Sequence, residues 1–575
     1  MRLSLTAKRR VENGSSMSNE KLLLREVESL KKEIKQLKSK KKYGLVWDWE
    51  KTPENVVEFC QKKLPILVEE KDKEIKTDNE KPVNVLIEGD NYHALSVLNY
   101  THDKKIDLIY IDPPYNTGAK NWKYNNNFVD KEDVYRHSKW LSMMHHRLNL
   151  AKNLLKKDGA LICAIDENEQ AHLGILLEEI FNAFEQHTIT IVHNPKGVQG
   201  INFSYTHEYA IFVIPKNKKI IVDRDLTESE MYISNLRNWG NESLRTDAKN
   251  CFYPIIIKKN KIIGFGDVAP DNYHPKASNE RKKDGTIFIW PIDNKGVERK
   301  WRYARQSVEE IKDILVLKNT DKEIQVLIAK DYGIYKTVWL DKRYDASEYG
   351  TKLLRKILPN CDFDFPKSLY NTYDCLYAVV GNRSNAVVLD FFAGSGTTGH
   401  ALLELNAKDK GRRQFILCTD NENNICTKVC YPRIKKVIEG YKDIKKEIIK
   451  GFGGNLKYYK TGFVDAEPTD QNKKRLVDKS TEMLCLKEDC FDEIKRNKGY
   501  GIFTNNQGNY LGVIYDDDGI ASFKKEVKNM NKKFTVYVFS LDDSAREEEF
   551  EDIKRLVELK PIPAVILNVY KRIFK

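Results

Sequence analysis

The sequence predicts an α/β fold with a doubly wound, mainly parallel sheet, and three observations support this. Apolar strand-like runs alternate with helical runs from about residue 83 to about residue 215. Two of the strand-like runs end in polar, turn-forming segments, which begin at Asp112 and at Asp390. A stretch without this rhythm, residues 216–360, separates the two segments. Strands that alternate with helices are typical of parallel sheets with helical crossovers.

The composition is that of a large folded protein. The chain has 575 residues, and its 97 Lys and Arg outnumber its 84 Asp and Glu by 13. At roughly 100–200 residues per domain, this length predicts about three or four domains. Hydrophobic residues make up 41% of the chain, which excludes wholesale disorder. No run approaches the roughly 18 apolar residues of a membrane span, and the positive charge favours a polyanionic partner.

The ten cysteines are scattered along the chain. The closest pairs, Cys426/Cys430 and Cys485/Cys490, have neither zinc-ribbon nor redox CxxC spacing. We therefore expect reduced, mostly buried thiols, a cytoplasmic location and no metal site.

An amphipathic helix is predicted near the amino terminus. Apolar residues recur there at alternating steps of four and three, namely Leu23, Val27, Leu30, Ile34 and Leu37. Such a seam either packs on the body of its own chain or pairs with a second chain in a short coiled coil. Residues 1–42 are thus expected to form an extension and this helix. The first sixteen residues precede Met17, a more natural start, and are excluded from the fold prediction.

The remaining segments follow in order. The first α/β part covers 43–215, with the strands VNVLIEGD, IDLIYID, ALICAID, HTITIVHN and YAIFVIP and intervening helices. Residues 216–360 carry hairpin-like pieces, basic clusters and four tryptophans, Trp239, Trp290, Trp301 and Trp339. The α/β rhythm returns at 361–450. A Lys-rich linker is expected at 451–480, and a small α/β domain at 481–575.

A glycine-rich loop is the first feature that indicates chemistry. It reads Asp390-Phe391-Phe392-Ala393-Gly394-Ser395-Gly396-Thr397-Thr398-Gly399, after the strand AVVL and at the start of a helix. Glycines in such a loop allow backbone amides to approach a ligand closely. The loop fits GxGxxG but lacks the Lys-Ser/Thr of a P-loop. Taken alone, it leaves open a dinucleotide, another adenosyl cofactor or a turn without a ligand.

The segment Asp112-Pro113-Pro114-Tyr115 decides between these alternatives. It ends the strand IDLIYI, where ligands bind in open α/β sheets. The Asp112 carboxylate and the Pro113 carbonyl would accept both hydrogens of an exocyclic amino group, and the prolines fix the backbone. Tyr115 offers a ring on which an extruded base can stack. A rigid turn capped by Asp is the structural alternative. Methylation of a cytosine ring carbon, in place of an amino nitrogen, would need a cysteine nucleophile, and no Pro-Cys dipeptide occurs in the chain.

Together the two segments resemble the beta class of amino-group DNA methyltransferases, in which the catalytic half precedes the cofactor loop. More narrowly, the chain is similar to the modification (Mod) subunit of type III restriction–modification systems. The segments LIEGDNYHALSVL, SYTHEYAIFVIPK, FPKSLYN, NENNICTKVCYPRIK and LKPIPAVILNVYKRIFK carry this resemblance. It implies a methyltransferase sheet in permuted chain order, an inserted target-recognition domain at 216–360 and methylation of the adenine 6-amino group after base flipping. It also implies double-stranded DNA as substrate, a homodimer and a restriction (Res) partner.

The resemblance also implies a set of site residues. The tetrapeptide from Asp112 to Tyr115 would be catalytic. S-adenosylmethionine (SAM) would be held by Asp90, Lys367, Ser368, the loop Asp390, Phe391, Phe392, Ala393, Gly394, Ser395, Gly396, Thr397 and Thr398, and Glu422 or Asp420. His207-Glu208 matches the segment beside the target base, without an assigned role.

Three alternatives remain at this point. The chain lacks GxxxxGK[ST], so ATP-driven cleavage would need a partner, and an orphan adenine methyltransferase is the first alternative. A cytosine 4-amino methyltransferase is the second, although these more often carry Ser in place of Asp112. A dinucleotide-binding oxidoreductase or an inactive binding module is the third.

Overall fold

The fold was obtained from a computed structural model, which describes residues 30–31, 53–125, 127–225, 232–320, 323–330, 332–361, 363–443 and 445–574. Of the predicted amino-terminal helix, only Leu30 and Lys31 lie within these ranges, and both are helical. The rest of that prediction lies outside the described residues. Within the described ranges, no helix combines the length and apolar character needed to cross a membrane.

The first part of the chain, to Pro215, alternates strands with helices as predicted. Its elements are α1 (Asn55–Lys62), β1 (Lys63–Glu69), β2 (Ile75–Lys76), β3 (Val83–Glu88), α2 (Asn91–Thr101), β4 (Ile106–Ile111), β5 (Ala119–Tyr124), β6 (Asn127–Asp130), α3 (Arg136–Leu154), β7 (Leu155–Ile165), α4 (Gln170–Ile180), β8 (Phe184–Val192), β9 (Val198–Gln199), β10 (Ser204–Tyr205) and β11 (His207–Pro215). The apolar runs that predict strands are buried: all six residues of β4 and the centre of β3 are inaccessible.

The middle segment forms short antiparallel sheets. Its strands are β12 (Arg224–Asp225), β13 (Tyr232–Asn235), β14 (Ile255–Lys258), β15 (Lys261–Phe265), β16 (Asn279–Arg281), β17 (Ile287–Ile289), β18 (Leu315–Asn319), β19 (Ile324–Lys330), β20 (Tyr332–Gly333) and β21 (Val338–Trp339). The β13–β19–β18 and β15–β14–β17–β16 sheets share a core of their own, which includes Tyr253 and Trp301. The short strand β21 returns to the main sheet beside β8.

The third part of the chain returns to helices and parallel strands. Its elements are α5 (Leu353–Ile357), α6 (Leu369–Val380), β22 (Val387–Asp390), α7 (Thr397–Asp409), β23 (Gln414–Thr419), α8 (Tyr431–Glu439), β24 (Gly440–Lys442), β25 (Ile448–Lys450) and β26 (Asn455–Asp465). The final part contains α9 (Asp470–Asp478), α10 (Thr481–Glu488), β27 (Asp492–Arg496), β28 (Tyr500–Thr504), β29 (Tyr510–Ile514), α11 (Ile520–Met530), β30 (Phe534–Phe539), β31 (Val557–Ile562) and α12 (Ala564–Ile573).

One large sheet combines strands from both α/β parts. Its order is β1-β26-β3-β23-β22-β4-β7-β11-β8-β21, with β2 added beside β26. The strands from β26 to β7 are parallel to their neighbours, and β11 is antiparallel to both β7 and β8. Helices cover both faces, since α2, α3 and α4 pack on one core and α6, α7 and α8 on the other. The predicted doubly wound, mainly parallel fold is confirmed.

The predicted linker at 451–480 is wrong. Residues Asn455–Asp465 form β26, which pairs with β1 on one side and β3 on the other, and α9 follows. The lysines that suggested a solvated linker have carboxylate partners instead. Lys457 lies 2.5 Å from Glu69 and 2.9 Å from Glu74, and Lys460 lies 3.2 Å from Glu70. The charge run therefore belongs to a paired strand.

The carboxyl-terminal part has its own five-stranded sheet, β27-β28-β29-β30-β31, with helices packed against it. It also contacts the main sheet's helical layer, because Tyr570 of α12 belongs to the same buried core as Leu95 and Leu98 of α2. This sheet and its helices thus rest on the first α/β part, and the domain expected at 481–575 stays a prediction.

Candidate active site

The two segments that indicated chemistry end neighbouring strands. In the parallel pair β4–β22, Leu108 faces Val388 and Ile109 faces Leu389. Continuing this register places Asp112 and the glycine-rich loop together at the carboxyl edge of the sheet. The strand order runs in opposite directions from this point, because the strand that follows β22, β23, lies on one side and the helix-connected partner of β4, β7, lies on the other. Such a switch point is where open α/β sheets bind their ligands.

The Asp112-Tyr115 loop is held from below by hydrogen bonds. The indole nitrogen of the buried Trp140 donates to the Pro114 carbonyl at 2.7 Å. The next residue, Asn116, is fully buried in a left-handed conformation (φ 56°), which asparagine tolerates better than most residues. Its side chain donates to Glu169 at 2.5 Å and accepts from Trp122 at 3.1 Å. These bonds hold the loop at its carboxyl-terminal end.

A buried lysine joins the catalytic loop to β11. The Lys367 ammonium lies 3.3 Å from Asp112, and it also contacts Glu208 and the Tyr115 hydroxyl. Glu208 accepts from Tyr115 at 3.2 Å and from the Asn371 amide at 2.7 Å. Lys367 therefore lies in the catalytic cluster, whereas the resemblance implied a place in the cofactor pocket.

Burial and charge act in opposite directions on this cluster. Burial raises the pKa of Asp112, and the Lys367 charge opposes that rise without cancelling it. Burial would also raise the pKa of Glu208, but Lys367 and then His193 outweigh it and lower the pKa. For Lys367, burial pulls the pKa down, and the two carboxylates raise it above the usual range. The lysine and Glu208 are therefore a charged pair beside Asp112.

The glycine-rich loop is shaped by Asp390 and by positive backbone angles. Asp390 accepts from the Phe392 amide at 2.9 Å and from the Thr398 hydroxyl at 2.5 Å. Burial raises the pKa of Asp390 to about 7. Gly394 has φ 50° and Gly396 has φ 78°, a region that disfavours residues with a Cβ. At Gly394, an added Cβ would lie 3.8 Å from the Phe363 ring, an ordinary van der Waals contact, so the backbone angle and not a lack of space calls for glycine there.

A buried arginine supports the loop from the opposite side. Arg433 donates to the Ser395 hydroxyl at 3.0 Å and to the Thr397 hydroxyl at 2.8 Å. Burial lowers the pKa of Arg433 to about 10. Sequence reasoning did not single out Arg433; only its place in the segment NENNICTKVCYPRIK could have drawn attention to it.

The predicted residue Asp90 lies at the end of β3, where it caps α2. Its carboxylate accepts from the Tyr92 amide at 2.7 Å and lies 3.4 Å from Arg147. The next residue, Asn91, donates to the Phe391 carbonyl at 3.0 Å, which ties this helix start to the glycine-rich loop. Arg147 is buried and pairs with Glu54 at 2.6 Å. The structure thus brings Asp90 and the loop together.

The two acidic candidates after β23 lie at the same edge. Asp420 accepts from the Glu422 amide at 3.0 Å, and burial raises the pKa of Asp420. The Glu422 carboxylate instead pairs with Lys123 of the β5–β6 hairpin at 2.5 Å. These contacts do not decide whether Asp420 or Glu422 would bind the cofactor, so both residues remain candidates.

Ser368 is placed away from the cluster around its neighbour Lys367. It is buried, and its hydroxyl donates to the Arg343 carbonyl at 2.7 Å. Asn116, Glu169, Arg147 and Asn371 were missed by sequence reasoning, although Asn116 directly follows Tyr115 and Asn371 lies within the segment FPKSLYN.

One group of side chains near the loop has the residue types of a metal site, namely His137, Glu169 and His172. The contacts do not favour an ion. Arg136 donates to Nε2 of His137 at 3.1 Å, which leaves the imidazole proton on Nδ1, facing Glu169 at 2.6 Å. His172 Nδ1 lies 2.9 Å from the other Glu169 oxygen, without hydrogen-bond geometry. A proton therefore joins Glu169 to His137, and Glu169 also accepts from Asn116.

The geometry defines what this edge of the sheet can do. A carboxylate, a fixed carbonyl and a tyrosine ring lie at one strand end, and the glycine-rich loop lies at the next. The carboxylates of Asp90, Asp420 and Glu422 fit a ligand with hydroxyl or amino donors. The arrangement suits group transfer between two ligands that meet across neighbouring strands.

Sequence comparison agrees with this interpretation of the site. The model of the N6_N4_Mtase family, described as DNA methylase, matches residues 106–429, which is more than half of the chain. The chain therefore belongs to this DNA methylase family, and the predicted membership of the amino-group methyltransferases is confirmed. The dinucleotide-dependent oxidoreductase alternative is excluded by this match.

Two curated relatives indicate where in the family the chain stands. It is 29% identical over 441 residues to the type III restriction–modification enzyme EcoPI Mod subunit of Escherichia phage P1, covering 68% of this chain and 66% of the relative. It is 32% identical over 364 residues to the type II methyltransferase M.KpnI of Klebsiella pneumoniae, covering 60% of this chain and 82% of the relative. The match to the Mod subunit spans slightly less than two thirds of that protein.

Solved structures are more distant. A crystal structure of the M1.HpyAVI-SAM complex is 14% identical, with 61% of this chain and 97% of that chain covered and a TM-score of 0.27. A score at this level does not establish a shared fold, and the fold stated above rests on the strand order of this chain.

Proposed function

We propose that this protein transfers a methyl group from SAM to the 6-amino group of adenine in a short DNA sequence. The observation that carries the proposal is the register of β4 and β22, which sets the Asp112-Tyr115 loop beside the glycine-rich loop. Membership of the DNA methylase family supports the reaction class.

The residues of the first loop would bind and orient the target amino group. The Asp112 carboxylate and the Pro113 carbonyl accept its two hydrogens, which directs the nitrogen lone pair toward the neighbouring loop. Tyr115 supports the base through its ring face. Lys367 and Glu208 hold the Tyr115 hydroxyl, so the ring cannot swing away when the base enters.

The second loop would bind the cofactor, which supplies an electrophilic methyl group on a sulfonium. The glycines and the backbone amides of the loop suit the methionine end. Asp90 and either Glu422 or Asp420 suit the amino and hydroxyl donors of the adenosine. Asp390 acts indirectly, because both of its oxygens already shape the loop.

The middle segment would select the DNA sequence. It has its own core and displays the exposed Lys258, Lys261 and Arg281 and the half-exposed Trp239, whose ring lies 4.9 Å from the buried Arg237 guanidinium. Phosphate contacts and base stacking both use such residues. Trp290, Trp301 and Trp339 are buried, so their rings are not available to stack on bases.

Within the DNA methylases we favour a type III Mod subunit, which would form a homodimer and supply recognition to a Res partner. The similarity to the EcoPI Mod subunit over 441 residues supports this assignment. A second candidate is a stand-alone adenine methyltransferase, which the similarity to M.KpnI favours. Purification with a co-expressed helicase–nuclease encoded beside the gene separates the two, because a stand-alone enzyme would not retain it.

Long-read sequencing of host DNA with and without the gene tests the reaction itself. We expect methylated adenines at one short sequence, present only with the intact gene and lost with Asp112→Ala. Digestion of the DNA to nucleosides distinguishes N6-methyladenine from N4-methylcytosine. Methylated cytosine in place of adenine, or no modified base at all, would refute the proposal.

A further inference from the structure

An exposed apolar hairpin extends from the sheet next to the catalytic cluster. It consists of β9, β10 and the turn between them, residues 198–205, and all eight residues are exposed. Its large apolar side chains are Val198, Ile201, Phe203 and Tyr205, at 62%, 102%, 79% and 48% exposure. Single exposed apolar residues are ordinary, but four within eight residues need a partner.

The hairpin is a short, well-defined projection. It continues the β8–β11 pair, since His207 faces Val192 and the Asn194 amide donates to the Thr206 carbonyl at 3.1 Å. Beyond that bond Ser204 faces Gln199. The Gly200 amide donates to the Phe203 carbonyl at 3.0 Å and closes a two-residue turn. A Cβ at Gly200 would lie 2.7 Å from that carbonyl, so the tight turn requires glycine.

Chain connectivity places the tip near the target-base pocket. Glu208, which binds Tyr115 and Lys367, follows Phe203 by five residues. At about 3.4 Å per residue, Phe203 lies at most about 17 Å from Glu208 along the strand. A duplex whose adenine reaches Tyr115 therefore comes within reach of the hairpin tip.

The charge of the segment fits the same partner. Residues 194–207 contain Lys196 and no acidic residue, so nothing there repels phosphate. Lys196 is exposed at the base of the hairpin. The apolar tip suits the stacked bases of a DNA strand, and the lysine at the base of the hairpin suits the phosphate backbone of that strand.

We propose that Ile201 and Phe203 insert into the DNA base stack and hold open the gap left by the extruded adenine. An amino group inside a duplex is out of reach of Asp112, so the base must leave the stack, which costs unpairing and unstacking. Proteins that open a base step insert apolar side chains such as Phe, Leu and Ile. The inference rests on the proposed function and adds the element that would make it work on duplex DNA.

The test compares two duplexes that carry the methylated sequence. In one the target adenine is paired, and in the other it lies opposite an abasic position. Ile201→Ala/Phe203→Ala should methylate the paired duplex at least tenfold more slowly than the wild type, and the unpaired duplex within threefold. With 2-aminopurine at the target position, fluorescence rises when the base is extruded on binding. This rise should be smaller for the variant than for the wild type on the paired duplex, and equal for the two proteins on the unpaired duplex. The conservative Phe203→Leu variant should retain most of the activity.

Ile448→Ala/Ile494→Ala is the matched control, because both side chains are exposed, at 79% and 47%, and lie outside the catalytic edge. An equal loss of activity on both duplexes, or no loss on either, would refute the insertion of Ile201 and Phe203 and leave the proposed methyl transfer standing. A wild-type protein that binds SAM and methylates neither duplex would instead refute the proposed function, and the insertion with it.

Discussion

Replacing Asp112 with asparagine keeps the size of the side chain and removes its charge. Asp112 follows β4 directly and lies 3.3 Å from the Lys367 ammonium. Lys367 retains Glu208 as a partner in the variant, so no buried charge loses its only counterion. We therefore expect the fold and SAM binding to persist, and methyl transfer to slow.

The size of the effect follows from the hydrogen bond that is changed. A hydrogen bond to a charged group contributes about 1.5–3 kcal/mol. At 1.36 kcal/mol per factor of ten, its loss slows transfer by about 10- to 150-fold. The substituted asparagine still offers a neutral carbonyl oxygen, so Asp112→Asn should fall near the lower value. Asp112→Ala removes the acceptor and should reach the upper value or exceed it.

Single-turnover transfer of a labelled methyl group measures the rate, and titration calorimetry measures SAM affinity. Asp107→Asn is the control, because Asp107 lies on the same strand, about 16 Å from Asp112 at 3.3 Å per residue. It pairs with Lys156 at 2.7 Å and accepts from the Val387 amide at 2.9 Å. It should lower stability and keep turnover. Turnover of Asp112→Ala within threefold of the wild type would refute the assigned role.

Three further predictions concern the rest of the site and the fold. Gly394→Ala adds a Cβ at a positive φ, which strains the loop, and should weaken SAM binding measured by calorimetry. Gly399→Ala brings a Cβ within 2.8 Å of a core isoleucine and should lower the free energy of unfolding by about 1–3 kcal/mol. Arg147→Met leaves Glu54 buried without its partner and should lower the free energy of unfolding in urea by about 3–5 kcal/mol. Adding Glu54→Gln to this variant should restore part of the loss, and additive losses in the double variant would contradict the pairing. Burial, together with nearby lysines, lowers the pKa of His102 to about 3. Between pH 6.5 and about 3 the unfolded chain therefore binds more protons than the folded chain, and the free energy of unfolding falls as the pH drops through that window. His102→Gln should flatten this fall in denaturation curves measured across that range, and an unchanged slope would contradict it.

The sequence predicted the parts of the site that depend on strand ends. Asp112 and Asp390 each follow an apolar run, and parallel strands end at the same edge, so local pattern was enough to bring them together. The position of Lys367 was not predictable in this way. Its side chain extends to Asp112 and Glu208, residues 255 and 159 positions away in the chain, and only the packing of α6 against the sheet determines that choice.

Charge patterns gave the least reliable predictions. Lys457 and Lys460 resemble a solvated linker because local sequence does not reveal the carboxylates that β1 and its neighbours contribute from almost 400 residues away. Trp301 likewise lies in a basic segment but fills the core of the middle sheets. Whether a charged or aromatic side chain faces solvent depends on tertiary partners, which periodicity cannot supply.

The pairing of β4 with β22 has a consequence for synthesis of the chain on the ribosome. Leu108 and its partner Val388 are separated by 280 residues. At roughly 5–20 residues per second, β22 emerges about 14 to 56 s after β4. Throughout that interval one edge of a buried, mainly apolar strand lacks its neighbour, and such edges recruit other strands. Truncated or slowly translated copies should therefore aggregate through β4, and chaperone binding is expected to concentrate on nascent chains that end before residue 387.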